Sequence, residues 1–555
     1  MRLLLVGALA TTTAAGLAAI QPALLTREER AAASTIRESR MRADVRFLSS
    51  DLLEGRGPAT RGDRLAREYL VARFEAMGLE PGAPGGTWEQ GLELVGVTAA
   101  CPEVLRVSTD AARTELRFHE DFVAFSGTQA PEARLDDAEI VFVGYGIVAP
   151  EHGWDDFKGA DLRGRVLLVM NNDPENDPRT FAGKRRLYYG RWDYKYEMAA
   201  RVGAAGAIIV HTDASAGYGW NVVQSSWTGE QLSLPAGPGE PTLPVKAWAT
   251  EEACRRIARL AGRDLDALRA SAERRDFRPV PLGVRLTLAL RNEVSRRSSA
   301  NVIGRLPGRD PVLSREAVVY SAHHDHLGTK TGPRGEPVVY NGALDNASGL
   351  ATMLAIAEAF VALPERPRRS ILFAAVAAEE QGLLGSAHLL RQPPVPAGRL
   401  AANVNIDGMN IWGRTRDVPV IGLGKSSLDD WVRAIAEAQG RAVVPEAFPD
   451  KGAYYRSDHL SFARAGVPSV TVDAGTEVLG KPAGWGRDRQ REWEAAHYHQ
   501  PTDDLVGWDF SGVVEDAQLL FLLGAKVADA PLAPSWRPGD EFEAARRKAL
   551  AEVGR

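Results

Sequence analysis

From residue 317 onward, short apolar runs rich in β-branched residues alternate with longer stretches whose apolar positions recur at helical spacing. EAVVYSA, RRSILFAAVAAEE, AANVNID and VPSVTVD read as strands, and NASGLATMLAIAEAFVAL, LLGSAHLL and SSLDDWVRAIAEAQG as the helices between them. Such alternation predicts an α/β fold with a mostly parallel mixed sheet flanked by helices, in which sites lie beyond the carboxyl ends of the strands. Upstream, TIRESRMRADVRFLSSDLLEGRGPATRGDRLAREYLVARFEAMGLEPG predicts two helices around a Gly/Pro loop. In the second helix Leu65, Tyr69, Ala72 and Ala76 share one face, and Gly78 is placed to terminate it. Between these regions AEIVFVGYGIVAP and GRVLLVMNNDP read as strands, and KYEMAARVGAAGAIIVHTD as a helix running into a strand, so a separate β-rich unit is expected.

The pattern divides the chain into an N-terminal part of the main domain over 26–130, a β-rich insert over 131–275, the remainder of the main domain over 276–530 and a C-terminal tail or helix over 531–555. Residues 1–25 read differently. One Arg, an apolar run from Leu3 to Ile20 and small residues around Gly16 and Ala18 have the layout of a secretory signal, so an exported, periplasmic or extracellular protein is expected. No later segment is apolar for long enough to span a bilayer. At 555 residues with net charge -5, the chain lacks the basic field that nucleic acid requires. Two cysteines, Cys101 and Cys254, allow one bridge or two free thiols. Nothing in the sequence sets the oligomeric state.

Polar residues collect where the predicted strands end. His323 and Asp325 follow the first, Glu379 and Glu380 the second and Asp407 the third, while Asp345 lies in the loop NGALDNASG and His499 in AHYHQPTDD. Strand alternation puts His323 and Asp325 on one side and His324 and His326 on the other, so the histidines of SAHHDHLG are not equivalent. Carboxylates crowded on one rim need a compensating cation. Imidazoles among them favour zinc over calcium or magnesium. Of the adjacent glutamates, one can ligate while the other serves as general base for hydrolysis.

The motifs SAHHDHLG, NGALDNASG, AAEEQGLLGS, NIDGMN, YYRSDHLSFARAGVPS and HYHQPTDD, in this order over about Ser298 to Phe521, resemble those of the co-catalytic zinc peptidases of metallopeptidase clan MH, which include secreted aminopeptidases and glutamate carboxypeptidase. The stretch FLSSDLLEGR resembles the N-terminal element of that family. The insert resembles its protease-associated domain, a lid or access module without clustered ligands. The resemblance implies a zinc-exopeptidase fold and two zinc ions per chain bridged by Asp345. It places His323 and Asp407 on one ion and Glu380 and His499 on the other, with Glu379 as general acid/base. It also implies that Asp325 orients His323 and that Tyr455 lies near the scissile carbonyl, with Tyr454 as the neighbour that could take that place.

His324, His326, His388, His459 and His497 are read as structural or pocket-wall residues, Asp503 and Asp504 as caps of a turn or helix, and Trp485, Trp493 and Trp508 as packing. The implied activity is removal of an N-terminal residue from peptides. A carboxypeptidase or dipeptidase of the same fold, a single-zinc glutaminyl-cyclase-like acyltransferase and an inactive binding receptor are the alternatives. Arg456, Arg487, Arg489 and Arg491 keep the first of these open, because a pocket for a substrate carboxylate needs Arg or Lys.

Overall fold

The computed structural model describes residues 25–177, 180–183, 185–332 and 334–555. The signal expected over 1–25 therefore lies, apart from Leu25, outside the described residues. Helix α1 (Glu38–Leu48) leads through a 3-10 turn (Asp51–Arg56) to α2 (Arg61–Ala76). Thr60 caps the α2 N-terminus by accepting from the Asp63 amide, and Gly78, at φ +75, carries the chain out of the helix as expected.

Strand β1 (Glu89–Ala100) is followed by the insert, whose sheet is built from β2 (Phe122–Ser126), β3 (Glu132–Phe142), β4 (Val166–Met170), β5 (Gly206–His211) and β6 (Val245–Thr250). Its core strands pair in parallel in the order β3, β4, β5, β6, and β2 closes the edge antiparallel to β6. The helix expected before β5 is α3 (Trp192–Arg201). Every residue of β4 and β5 is buried, as strands covered on both faces must be.

The division at 131 and 276 does not follow the pairing. β2 lies before residue 131 yet bonds to β6 inside the insert. The long strand β7 (Val280–Leu306) belongs to both units, since its first half pairs with β3 and its second with β1 and, from Val302, with β8 (Ser370–Val376). Turn residues near Pro279 suggested a boundary, but hydrogen bonding continues through it.

In the main sheet β8 pairs in parallel with β9 (Ala317–His323), which pairs in parallel with β10 (Leu400–Asn405), and β10 with β11 (Ser469–Val472). The antiparallel flank of β7 and an antiparallel neighbour of β11, Asp417–Ile421, make the sheet mixed. The helices α4 (Ser348–Val361) and α5 (Phe510–Asp529) pack on one face. Their apolar side chains form a single core with Tyr320, Phe360, Phe373 and Phe521 at its centre. The C-terminal segment after residue 530 is part of the fold: Trp536 is buried and donates to Gly466 O, and Arg546 donates to Ala397 O and Leu400 O. Cys254 is buried and Cys101 half-buried, and both thiols are free. Among the described residues no helix is long and apolar enough to cross a membrane.

Candidate metal centre

The ends of β9, β8 and β10 open onto one rim, and the loop before α4 and the turn after Trp485–His497 reach it from the sides. His323 Nε2 is 3.2 Å from Asp345 Oδ1 and 3.2 Å from Asp407 Oδ1. His499 Nε2 is 3.1 Å from Asp345 Oδ2 and 3.1 Å from Glu380 Oε2. Asp345 thus turns one oxygen to each histidine–carboxylate pair. Ligand atoms about 2.0–2.1 Å from a tetrahedral zinc lie about 3.3 Å from one another. The observed separations fit zinc held by His323, Asp345 and Asp407 and by Asp345, Glu380 and His499, while His326 offers a further donor beside Asp345 and Glu380.

Local structure explains how these side chains are aimed. Asp503, buried, accepts from the amides of Leu344 and Asp345 and anchors the loop that presents Asp345. It caps a turn, as its sequence context implies. Asn346 donates to Ile406 O and accepts from the amides of Gly349 and Gly408, tying the same loop to the turn that carries Asp407. Ser321 Oγ donates to Asn405 and Asn405 Nδ2 donates to Ser457 Oγ, which joins β9 and β10 to the segment before Asp458.

Asp325 differs from its expected role. Its carboxylate is 3.8 Å from His323 Nδ1, beyond hydrogen-bond reach, and the imidazole nitrogen lies instead 3.1 Å from the Asp325 main-chain oxygen. The carboxylate accepts from the amides of Glu379 and Glu380, at 3.0 and 3.3 Å. The chain turns after His323, so the alternation that puts both side chains on one face of a strand no longer applies. Asp325 therefore orients His323 through its backbone and the glutamate pair through its side chain.

Tyr455 is also corrected. Its hydroxyl donates to Glu541 Oε1 at 2.6 Å, and its ring packs on Tyr188 and Tyr454. The 3-10 turn Ala453–Tyr455 directs both tyrosines into the core between the insert and the C-terminal segment, so neither Tyr454 nor Tyr455 is aimed at the metal centre. The aromatic residue at the rim is Tyr498, stacked on His499 with ring centroids 3.9 Å apart.

His326, read from sequence as structural, has more to do. Its Nδ1 lies 2.7 Å from Glu380 Oε1, leaving Oε2 to face His499 and Asp345. The ring is fully buried, and a Cβ on Gly342 would sit 2.6 Å from its Cγ and Cδ2, which together with φ +55 explains glycine there. The signal was present: His326 follows Asp325 at the same loop, but alternation assigned it to the far face. His324 is structural, bonded through Nε2 to Asp63 of α2 at 2.9 Å, while Ser299 donates to the same carboxylate. His497 Nδ1 meets Thr502 and lies outside the centre. His459 is buried against Tyr454 and Asn405.

A buried guanidinium supports the whole arrangement. Arg56, fully enclosed, donates to the carbonyls of Leu48, His324, Asn341 and Gly342. Gly55 must be glycine because a Cβ would lie 2.4 Å from Gly328 O at φ +70. Burial brings the Arg56 guanidinium down to about 10, against the charges of Asp325, Asp503, Asp345 and Glu380, so it stays cationic at neutral pH. The FLSSDLLEGR stretch is thus the floor of the centre.

Electrostatics separate the two glutamates. Burial, followed by the nearby carboxylates Asp407, Glu380 and Asp458 acting against His323, holds Glu379 well above the usual carboxylate range. Glu380 lies at about 2: burial and Asp345 act to raise it, but His499 and His326 outweigh them. Asp345 is held well below its ordinary value by hydrogen bonds from His323 and His499 despite burial. Of the two adjacent glutamates, Glu379 is thus the one whose surroundings favour holding a proton.

A mixed α/β sheet whose strand ends carry two histidine–carboxylate groups sharing one aspartate defines a domain of the metallopeptidase class. Residues 301–520 match the model of Peptidase family M28, and the chain carries a domain of that family. An aminopeptidase, NAALADL1, of Mus musculus is 34% identical over 110 residues, 19% of this chain and 13% of that protein. A probable leucine aminopeptidase of Trichophyton verrucosum is 28% identical over 229 residues, 40% of this chain and 57% of that protein. The chain thus spans a minor part of the first relative and little more than half of the second. The solved aminopeptidase of Aneurinibacillus sp. strain AM-1 has the same fold, with a TM-score of 0.51 at 19% identity over 91% of this chain and 97% of that one.

Proposed function

We propose that the protein is an exported, zinc-dependent exopeptidase that removes the N-terminal residue of peptides. The observation that carries the reading is Asp345, whose two oxygens face two separate histidine–carboxylate pairs. His323 and Asp407 would hold one zinc, Glu380 and His499 the other, and Asp345 would bridge them. Zinc, when bound, supplies Lewis acidity that polarises the scissile carbonyl and makes the attacking water more acidic. Glu379 accepts a proton from that water as it adds to the carbonyl carbon, and gives it to the amine nitrogen as the C–N bond breaks. Asp325 keeps Glu379 in place by accepting a hydrogen bond from the Glu379 main-chain amide. The single-zinc cyclase reading gains nothing from this site, because both histidines have complete carboxylate partners. Export rests on the apolar run Leu3 to Ile20 and its small-residue boundary.

The test combines metal analysis with Glu379→Gln on the full chain. Two zinc ions per chain are expected before and after the substitution, with hydrolysis of an amino-acid p-nitroanilide reduced by roughly two to four orders of magnitude. Unchanged turnover removes Glu379 from the chemistry. One zinc per chain in the wild type refutes the bridged centre.

A further inference from the structure

We infer that Asp473 is a specificity-determining residue on the acyl side of the metal centre, so that substrates whose N-terminal residue carries a basic side chain are preferred. This rests on the peptidase reading above and names the residue that is released.

The sheet places Asp473. On β9, β10 and β11 the residues Tyr320, Ala322, Val404, Ile406, Val470 and Val472 enter the core under α4 and α5, so the residues between them turn to the other face. That face carries His323 and Asp407. Ser321 lies opposite Asn405, and two residues further along both strands His323 Nε2 and Asp407 Oδ1 meet at 3.2 Å. Val404 lies opposite Val470, and the same register brings Asp473 opposite Asp407, one strand spacing of about 4.8 Å away. The chain turns after His323, but it stays extended here: Ile406 N donates to Ser321 O at 2.8 Å, and Asp473 N to Pro419 O at 2.9 Å.

From β8 to β11 the rim therefore reads Glu379, His323, Asp407, Asp473. Glu379 gives its proton to the departing amine, so the leaving group lies over that end and the acyl residue extends toward Asp473. On the far side Gln490 Nε2 donates to Ala474 O at 2.7 Å, and a Cβ on Gly486 would lie 2.3 Å from Thr476 O. Both belong to the helix Trp485–His497, so Asp473 lies between the strand that leads to Asp407 and the helix that leads to His499.

The Asp473 side chain is left without a counterion. It is exposed, and among the described residues its carboxylate accepts only from the adjacent amide of Ala474, at 2.7 Å. Of the charged side chains that act on it, Glu446 is offset by Arg185 at 3.4 Å, and Lys451 is held by Glu494 at 2.6 Å. Most of the acceptor capacity of Asp473 is thus open to the donors of an ammonium or guanidinium. A substrate brings such a group as its α-amine or as a lysine or arginine side chain. The α-amine is one carbon from the scissile carbonyl and stays over the metal ligands, whereas a side chain reaches one strand further.

Lysine and norleucine p-nitroanilides differ by the terminal ammonium alone. On the zinc-loaded full chain, kcat/KM for the lysine substrate should exceed that for norleucine by about tenfold, mainly through KM. Asp473→Asn should bring the ratio close to one, and Asp473→Glu should retain part of it. Equal wild-type values overturn the inference without any variant, as does a ratio that Asp473→Asn leaves unchanged in protein with wild-type circular dichroism. A loss that is equal on both substrates assigns Asp473 to the α-amine and overturns it as well. Absence of turnover on both, and on leucine p-nitroanilide, refutes the peptidase reading, and the inference falls with it.

Discussion

Replacing Arg56 by Met tests whether the metal centre depends on its floor. The side chain is fully buried and donates to four carbonyls, at 2.9 Å to His324, 2.7 Å to Asn341 and 2.9 Å to Gly342, with Leu48 the fourth. Each buried carbonyl left unpaired costs about 1–3 kcal/mol. Removing a buried cation returns part of that, because its desolvation was costly. The net expected loss of stability is about 3–5 kcal/mol, the range for breaking a buried charged interaction from one side. A second effect follows, since His324 adjoins His323 and Gly342 opens the loop to Asp345. Loss of a nearby positive charge would by itself favour cation binding, whereas loosened loops oppose it. Outer partners of metal ligands typically contribute ten- to hundredfold in affinity, so loop order should win and zinc affinity should fall by at least tenfold. Urea melts followed by tryptophan fluorescence and competition for zinc with a chromophoric chelator measure the two quantities. Arg56→Lys keeps the charge but has too few donors for four carbonyls, and should fall between. A variant within about 1 kcal/mol of wild type, with zinc affinity within twofold, would refute the reasoning.

Other substitutions probe separate parts of the fold. His326→Phe, which keeps a ring but removes the bond to Glu380, should weaken zinc binding about tenfold at the Glu380 side while the His323 side keeps its ion; titration with cobalt, read by its visible spectrum, resolves the two sites. Burial brings His459 down to about 4 from 6.5 against the pull of Asp407, so the unfolded chain binds the extra proton between those values and stability falls as pH drops from 6.5 to 4, by about 3 kcal/mol; His459→Gln should flatten melting temperature against pH over that window. Gly524→Ala places a Cβ 1.8 Å from the Tyr320 hydroxyl, which is bonded to Leu520 O, and should cost about 1–3 kcal/mol by overpacking, relieved in the Tyr320→Phe background.

Much of the main domain was legible because each of its elements is periodic and bounded by turn chemistry. Strands at 317, 370, 400 and 469 start within two residues of the apolar runs that announce them, and α4 covers the run of apolar residues after Asn346. The residues that the structure gathers at the rim were legible for a related reason: polar residues at the ends of buried parallel strands have no packing role there. What was missed lies where the chain stops being regular. Asp325 and His326 follow the last residue of β9, so a two-residue period extrapolated beyond the strand assigned the wrong partners. Tyr455 sits in one turn of 3-10 helix, whose direction depends on Glu541 about ninety positions later. Trp485–His497 is a helix whose one buried residue is Gly486, so no apolar stripe announces it in the sequence. The join between units was hidden because Pro279 and Pro281 look like punctuation, whereas β7 takes its hydrogen bonds from neighbours more than a hundred residues away.

The continuity of β7 makes the insert a mechanical part of the catalytic body. A strand continuous from Val280 to Leu306, irregular in its pairing only near Pro281–Leu288, joins the two units without a linker, and Glu230–Ser233 of the insert returns to bond with β1 as well. Motion of the insert relative to the metal centre must therefore pass as twist along one strand rather than as rotation about a linker. Excising 131–275 would strip β7 of its β3 partner, leaving a long open edge beside the centre that could recruit other chains. Whatever reaches the rim does so past a wall that bends with the sheet bearing the reactive groups, so access and alignment are governed by the same elastic element.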